Sequence, residues 1–551
     1  MICFSPLLAQ NLNLLVNGKN NSETMTIDSI GYKKSFPNYK SLQDELNALN
    51  LKLQKAGYIE LKSVSISQQN DSTYRASLSL KKKFYTIYIY FNKNTISKSF
   101  LEGIVDHVNS DYFVTTIQDS EAILNLINSK LSEDGQPFAS QRLENIKKKD
   151  NNSLQATLSI STHATRTIDH IVIKGYEKFP RSFLKHFLKL KQGDSFDLNS
   201  IKKKAQDLIT LNFVSQLKTP EVLFTDKATS LYLYLEKNKS NSFDGFLGFG
   251  TNEVSNKIEF NGYLNLKLTN NLNYGETIKI IYKSDASEQK TFQANINIPY
   301  LFGSAIGTEL ALNIFKKDST FTTINQSADL YYQINKNQRL FSGINAVQSN
   351  NLLNTNQSAF VQDYEAIFYN IKYELIKYQY YNKLFPINFI LESKVGIGTR
   401  KGSSLKEKQS IYSLGTHKIF NLNNTNSFYV KLNTAGINSD NYLNNELLRF
   451  GGINSIRGFE EQSLLASFYS VLNTEYRYTL SPSIYIHSIV DAAYFENELT
   501  NIREKLFGFG LGIGLLTKAG VLRLNYAAGK SESQKFKLSN SKFHISLNAN
   551  F

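Results

Sequence analysis

The sequence predicts α+β modules in series followed by a sixteen-stranded antiparallel transmembrane β-barrel. Three observations carry that prediction. Residues 25–239 repeat an order of strand, helical region, strand and strand three times. From Asn241 onward helical periodicity gives way to two-residue alternation of apolar and polar side chains, in sixteen segments separated by polar turns. The last segment sets Phe543, Ile545, Leu547, Ala549 and Phe551 against His544, Ser546, Asn548 and Asn550, a terminal aromatic in an outward register.

Composition sets the bounds. A chain of 551 residues is long enough for several domains. It carries 32 tyrosines, 37 phenylalanines, no tryptophan, 8 prolines and a single cysteine, so no disulfide within the chain stabilises it. No apolar run reaches the roughly 18 residues of a transmembrane helix, a length that barrel strands do not need. Residues 1–10 read as a signal-peptide remnant, a short apolar stretch with Leu8-Ala9 before polar residues, although no basic segment precedes it. The formal charge of +15 comes from scattered lysines. Without a basic helix, zinc spacing or stacking platform, nucleic acid is not an expected partner.

The first module, 25–83, follows a polar lead-in over 11–24 and opens on a strand at Thr26–Ile30. Ser41 is the expected cap of a helix, with Asp44 three residues on in near capping-box order, and Leu42, Leu46, Leu49 and Leu53 share one helical face. Gly57-Tyr58 end that helix, and strands follow over Leu61–Gln68 and Tyr74–Leu80. The second module, 84–162, starts with a strand whose Tyr85, Ile87, Ile89 and Phe91 share a side. It continues with helical runs at 98–109 and 117–132 and a short helix after Gly135–Ala139, then closes on Leu154–Ser161, a strand without an evident partner. The third module, 165–239, has a strand at Ile168–Gly175, a helix capped by Asn199 and carrying Ile201, Ala205 and Leu208, and a closing strand at Ser230–Leu235. Serial modules suit a jointed arm, which either offers sheet edges to an extended client or holds a partner at a distance.

In the C-terminal region, 241–551, the sixteen segments begin near residues 243, 257, 275, 290, 304, 321, 338, 363, 385, 407, 427, 468, 484, 504, 521 and 542. An apolar face outside and a polar face inside suit lipid and a wet lumen, closure satisfies every backbone group in lipid, and abundant tyrosine suits the membrane interfaces. Residues 445–467 fall between the eleventh and twelfth segments. There Gly451, Gly452, Ile456, Arg457, Gly458 and Phe459 stand among flanking aromatics, a composition suited to an extended loop that folds back and presents one buried cation. A buried guanidinium needs acceptors, and the candidates are Asp491 first and Glu475 second. Gly508, Gly510, Gly512 and Gly514 alternate with Phe507, Phe509, Leu511 and Ile513, leaving room for backbone to approach the wall, and the loop is the expected occupant.

These residues resemble a known family. Ile456-Arg457-Gly458-Phe459, Asn473-Thr474-Glu475-Tyr476-Arg477, Ile489-Val490-Asp491-Ala492-Ala493 and Gly520-Val521-Leu522-Arg523 are similar to motifs of the outer-membrane assembly and translocation family of BamA, TamA and two-partner-secretion transporters. That family is built from periplasmic POTRA modules and a sixteen-stranded barrel, and the three-module layout resembles its TamA-like members. Ile489 replaces an aromatic of the pattern, Ala493 a glycine and Val521 a proline, which bears on how the loop is seated. The resemblance implies POTRA-like modules in the periplasm, a barrel in the bacterial outer membrane, and Arg457 bracing the internal loop.

No Gly-Lys-Ser/Thr phosphate loop or His-Glu-x-x-His sequence occurs, and His163, His170 and His417 read as surface or barrel residues, so no enzyme activity, cofactor or metal is expected. The resemblance implies an assembly and insertion factor that guides β-barrel clients through a lateral seam between first and last strands. Gly245, Gly248 and Gly250 would leave the first strand weakly held. The alternatives are a dedicated secretion pore for an exoprotein and, in a different class, a passive porin or structural scaffold. The implied partners are unfolded β-barrel or secreted clients, outer-membrane lipids, and periplasmic chaperones or accessory lipoproteins.

Overall fold

A computed structural model describes residues 11–162, 164–251, 258–284, 289–353, 361–379, 381–402, 406–517, 520–532 and 541–548. The signal-like segment 1–10, His163 and Phe551 lie outside the described residues. The chain divides into two compact units, one running to Ile168 with Gly193–Ser200, the other comprising Asp169–Gln192 and everything from Ile201.

The first unit holds two four-stranded sheets. One is formed by β1 (Leu12–Asn17), α1 (Asn21–Ile30), β2 (Ser35–Phe36), α2 (Tyr39–Lys55), β3 (Lys62–Asn70) and β4 (Thr73–Ser79), in strand order β2-β1-β4-β3 with β1 parallel to β4. The other uses β5 (Thr86–Tyr90), α3 (Lys98–Glu102), β6 (Tyr112–Thr116), α4 (Ile117–Glu133), β7 (Ser140–Lys148) and β8 (Ser153–Ser161), in order β6-β5-β8-β7 with β5 parallel to β8. In both, the parallel pairing of first and last strands forces the chain across the sheet, and the helices make that crossing. The leucine stripe of α2 is at most 3% exposed and packs with Leu14, Val16, Ala76 and Leu78.

Several local expectations are corrected here. Thr26–Ile30 is the end of α1, because the Asn20 side chain accepts from Glu23 N at 2.8 Å to cap the helix, and Ile27, with Ile30 three residues on, faces the core. The polar lead-in contains β1, whose Leu14 and Val16 alternate inward. Asn38 rather than Ser41 caps α2, accepting from Ser41 N at 2.9 Å. Tyr85 is 57% exposed and does not share the buried side of Ile87 and Ile89. The run from 98 stops at Glu102, and β6 occupies Tyr112–Thr116. The short helix after Ala139 is β7, the partner of β8; its outward edge is too polar for an apolar alternation to reveal it. Asn199 lies within α5 (Leu198–Gln206), and Asp197 Oδ1 accepts from its N–H at 2.9 Å.

In the second unit, β9 (His170–Gly175), β10 (Val214–Phe224) and β11 (Thr229–Lys237) form a three-stranded sheet in order β10-β11-β9. A π-turn at Phe183–Phe187 sets the Phe183 ring edge-on to Tyr300, with centroids 4.8 Å apart. The Tyr176 hydroxyl accepts from Asn270 Nδ2 at 2.8 Å and donates to Asn273 Oδ1 at 2.6 Å.

The remainder is one antiparallel sheet of sixteen strands. Its first eight are β12 (Ser242–Thr251), β13 (Ile258–Thr269), β14 (Thr277–Ser284), β15 (Gln289–Ile298), β16 (Ile306–Lys317), β17 (Phe321–Asn335), β18 (Gln338–Asn351) and β19 (Tyr364–Tyr378). Then come β20 (Ile387–Gly402), β21 (Lys406–Asn421) and β22 (Asn426–Asn438). A small hairpin of β23 (Leu448–Phe450) and β24 (Leu464–Ala466) intervenes outside the sheet. The sheet resumes with β25 (Phe468–Ser481), β26 (Ile484–Asn497), β27 (Ile502–Thr517), β28 (Gly520–Lys530) and β29 (Lys542–Asn548). Each strand pairs with its successor in sequence, and the alternating segments located the strand starts to within two residues.

Burial on this sheet is inverted relative to a water-soluble core. Along β25 and β26, Leu472, Tyr476, Ile486 and Val490 are 40–47% exposed, while Asn473, Glu475, Arg477, His487 and Asp491 are at most 4% exposed. Water on both faces would select the opposite arrangement.

The cap assignment is directly testable. Asn38→Ala should cost about 1 kcal/mol and raise amide exchange in the first turn of α2, whereas Ser41→Ala should leave that turn protected; equal effects would contradict it.

Candidate functional site

The segment joining β22 to β25 carries the glycine–arginine sequence, and its two ends are held first. Glu446 accepts through Oε1 from Arg400 Nη1 and from Leu443 N at 2.8 Å, and through Oε2 from Gln409 Nε2 at 3.1 Å. Asn445 Nδ2 donates to Ser349 Oγ and to the Gln362 carbonyl, each at 2.9 Å. The β23–β24 hairpin then brings Phe450 flat against Tyr469, centroids 4.8 Å apart, and edge-on to Phe495. At the turn Gly451 and Gly452 have φ of 109° and 93°, and a Cβ on Gly452 would collide with Glu461.

The turn delivers Ile456, which is fully buried, and Arg457, 3% exposed. Arg457 donates from Nε to Asp491 Oδ2 at 2.8 Å and from Nη2 to Asp491 Oδ1 at 2.6 Å, a bidentate pair. Its backbone N–H reaches Asp491 Oδ2 at 3.0 Å, and Nη1 reaches Glu475 Oε1 at 2.5 Å. Arg477 Nε donates to the other oxygen of Glu475 at 2.7 Å, and its guanidinium lies 3.8 Å from the Tyr429 ring centroid. Two buried cations therefore face two buried anions, so the cluster is neutral. That balance makes the burial tolerable, since an unmatched ion in this setting costs several kcal/mol.

Both candidate carboxylates thus meet Arg457. The glycines divide differently from expectation. Only Gly508 makes room for the segment, because a Cβ there would strike the Arg457 carbonyl. Gly510, Gly512 and Gly514 instead admit neighbours in the wall: Tyr526 and Ala527, Asn525 and His487, and Tyr485. Gly458, with φ of 91°, lies against the backbone of Ala528 and Gly529, and the Phe459 ring covers Gly529. Gly458 N–H also points to His544 Nε2 at 3.3 Å. Phe543 is 61% exposed on the outer face of β29.

Sequence reasoning did not single out Asn445, Glu446, Gly529 or His544. The Ala527-Ala528-Gly529 run was the available signal for a close backbone approach. Arg449 lies 5.3 and 5.4 Å from the ring centroids of Phe315 on β16 and Phe321 on β17. One segment thus touches strands from β16 to β29, and the sheet curls around it. Among the described residues no group of three or more His, Cys, Asp or Glu side chains is placed to hold a metal.

No protein-family model matches the chain, and no curated protein matches it. Solved structures give the fold. BamA from Haemophilus ducreyi lacking POTRA domains 1–3 superposes with a TM-score of 0.50 at 13% identity, covering 83% of this chain and 98% of that one. CdiB from Escherichia coli superposes with a TM-score of 0.50 at 11% identity, covering 91% of this chain and 96% of that one.

Arg457→Ala leaves buried Asp491 without its cation, while Glu475 keeps Arg477, and should cost about 3–5 kcal/mol in denaturant unfolding of the detergent-solubilised protein. Arg457→Lys, lacking the planar fork, should recover only part of the loss. Lys542→Ala, which removes an exposed pair with Glu460, should change stability by at most about 1 kcal/mol. Equal losses in Arg457→Ala and Lys542→Ala would contradict the role of the seat.

Proposed function

We propose that the chain is an outer-membrane protein that moves polypeptide across or into that membrane, with its α/β modules acting as POTRA-like arms in the periplasm. The observation that carries this reading is the inverted sheet curled around a segment seated by Arg457. An apolar exterior with a polar interior suits strands in lipid, and a closed sheet would leave no unpaired edge there. A passive porin needs an open interior and no periplasmic arm, so the seated segment weighs against it.

Two finer readings follow, each with its own support. Passage of a secreted chain through the interior is favoured by the segment's attachment through ion pairs and hydrogen bonds, which can be exchanged, and by a 460 Å³ cavity between Leu448, Arg449 and the wall. Insertion of β-barrel clients at the sheet's ends is favoured by the strand order, in which, among the described residues, no ladder joins β29 to β12. Gly245 in β12 approaches the Tyr263 carbonyl too closely to accept a Cβ. The arms would receive unfolded clients, with chaperones or accessory lipoproteins as partners. The chemistry needs no cofactor.

The test is depletion of the protein with quantitative outer-membrane and culture-supernatant proteomics, together with planar-bilayer conductance. Low wild-type conductance that rises in Arg457→Ala, with loss of one secreted protein, supports interior passage. Loss of many barrel proteins with exoproteins initially intact supports insertion. An unchanged proteome with high wild-type conductance contradicts polypeptide transport.

A further inference from the structure

A second interior cavity, of 410 Å³, is bounded by β13, β14, β25 and β28 and by the Leu384–Pro386 turn. Its described lining includes Lys267, Lys279, Arg477 and Arg523 and contains no carboxylate. The neighbouring cluster cannot supply the missing charge. Glu475 and Asp491 are already matched by Arg457 and Arg477. Lys267, Lys279 and Arg523 form no ion pair among the described residues, and Arg523 Nε is buried without an acceptor.

The two lysines stand directly opposite each other across the β13–β14 ladder. Like charges so placed repel, and a buried guanidinium nitrogen without an acceptor carries a desolvation cost. Both costs are removed by one compact anion between these groups. A single peptide carboxylate brings one charge for three cations and would leave two unmatched. A phosphate group brings several acceptor oxygens and nearly two charges into the same volume, and arginine's fork suits it. We propose that this cavity binds a phosphate-class oxyanion, held by Lys267 and Lys279 from the early strands and by Arg523 from β28. Such an anion links strands near the two ends of the sheet across the interior. This inference is independent of the direction in which polypeptide moves.

The experiment uses the full chain in detergent. Inorganic pyrophosphate and dihexanoyl phosphatidic acid are titrated by calorimetry and by thermal unfolding, against sodium chloride at matched ionic strength to remove screening. Binding of pyrophosphate supports a free oxyanion, and binding of phosphatidic acid alone supports a lipid headgroup in the same site. Arg523→Gln and Lys279→Ala should each weaken binding by about tenfold or more, while Lys372→Ala, elsewhere on the sheet, should not. Because Arg523→Gln can disturb folding, Lys267→Ala with Lys279→Ala provides a second variant that relieves the repulsion and should retain the unliganded unfolding midpoint. No binding beyond the chloride control, equal binding in all variants, or binding of hexaglutamate in place of both phosphates would overturn the proposal.

Discussion

The seat of the segment between β22 and β25 is built on one buried guanidinium. Arg457 arrives from a segment outside the sheet, yet its hydrogen bonds are satisfied by Asp491 and Glu475 on two neighbouring strands. A charge placed there without both partners would be expelled toward water. Once it is paired, Ile456 and Gly458 on either side have fixed positions. The glycines at 458, 508 and 529 are consequences of that placement: each removes a Cβ that would hold the segment and wall apart. The neighbouring Arg477 completes the neutral cluster and carries its influence to Tyr429 and Phe385, whose ring centroids lie 3.8 and 4.5 Å away.

The inverted burial of the sheet follows a similar electrostatic logic at larger scale. Polar and charged side chains on the concave face need one another, so they form short networks such as Arg339 with Glu374 and Arg400 with Glu446. Among the described residues the apolar outer face is left uncovered, as at Ile397 and Leu511, each 70% exposed. An apolar solvent suits that arrangement better than water does, so the sheet's exterior bears on localisation as well as fold. Electrostatics also mark the exception, the cavity at Lys267, Lys279 and Arg523, where positive charge outruns the negative charge available.

The large sheet was legible because two-residue alternation persists through every strand and polar turns punctuate it; the register could then be extended with little ambiguity. The modules were harder. Thr26–Ile30 is rich enough in β-branched residues to suggest a strand, but the Asn20 cap and the position of Ile27 make it helix. The strand β7 carries Arg142, Glu144, Lys147 and Lys148, so an edge position hid it from a reading based on apolar periodicity. At the seat, Arg457 and its carboxylates could be nominated from residue type alone. Asn445 could not, since its partners Ser349 and Gln362 are distant in sequence and only the folded register brings them together; the small-residue run ending in Gly529 signalled a close approach without saying what approaches.

The most direct measurement is thiol labelling of Ile456→Cys in a Cys3→Ser background, using a membrane-impermeant maleimide on protein in lipid nanodiscs. A seated segment predicts slow labelling in that chain and fast labelling once Asp491→Ala is added. Fast labelling before Asp491 is altered, or no change afterwards, would contradict the placement of the segment by its Arg457 ion pairs.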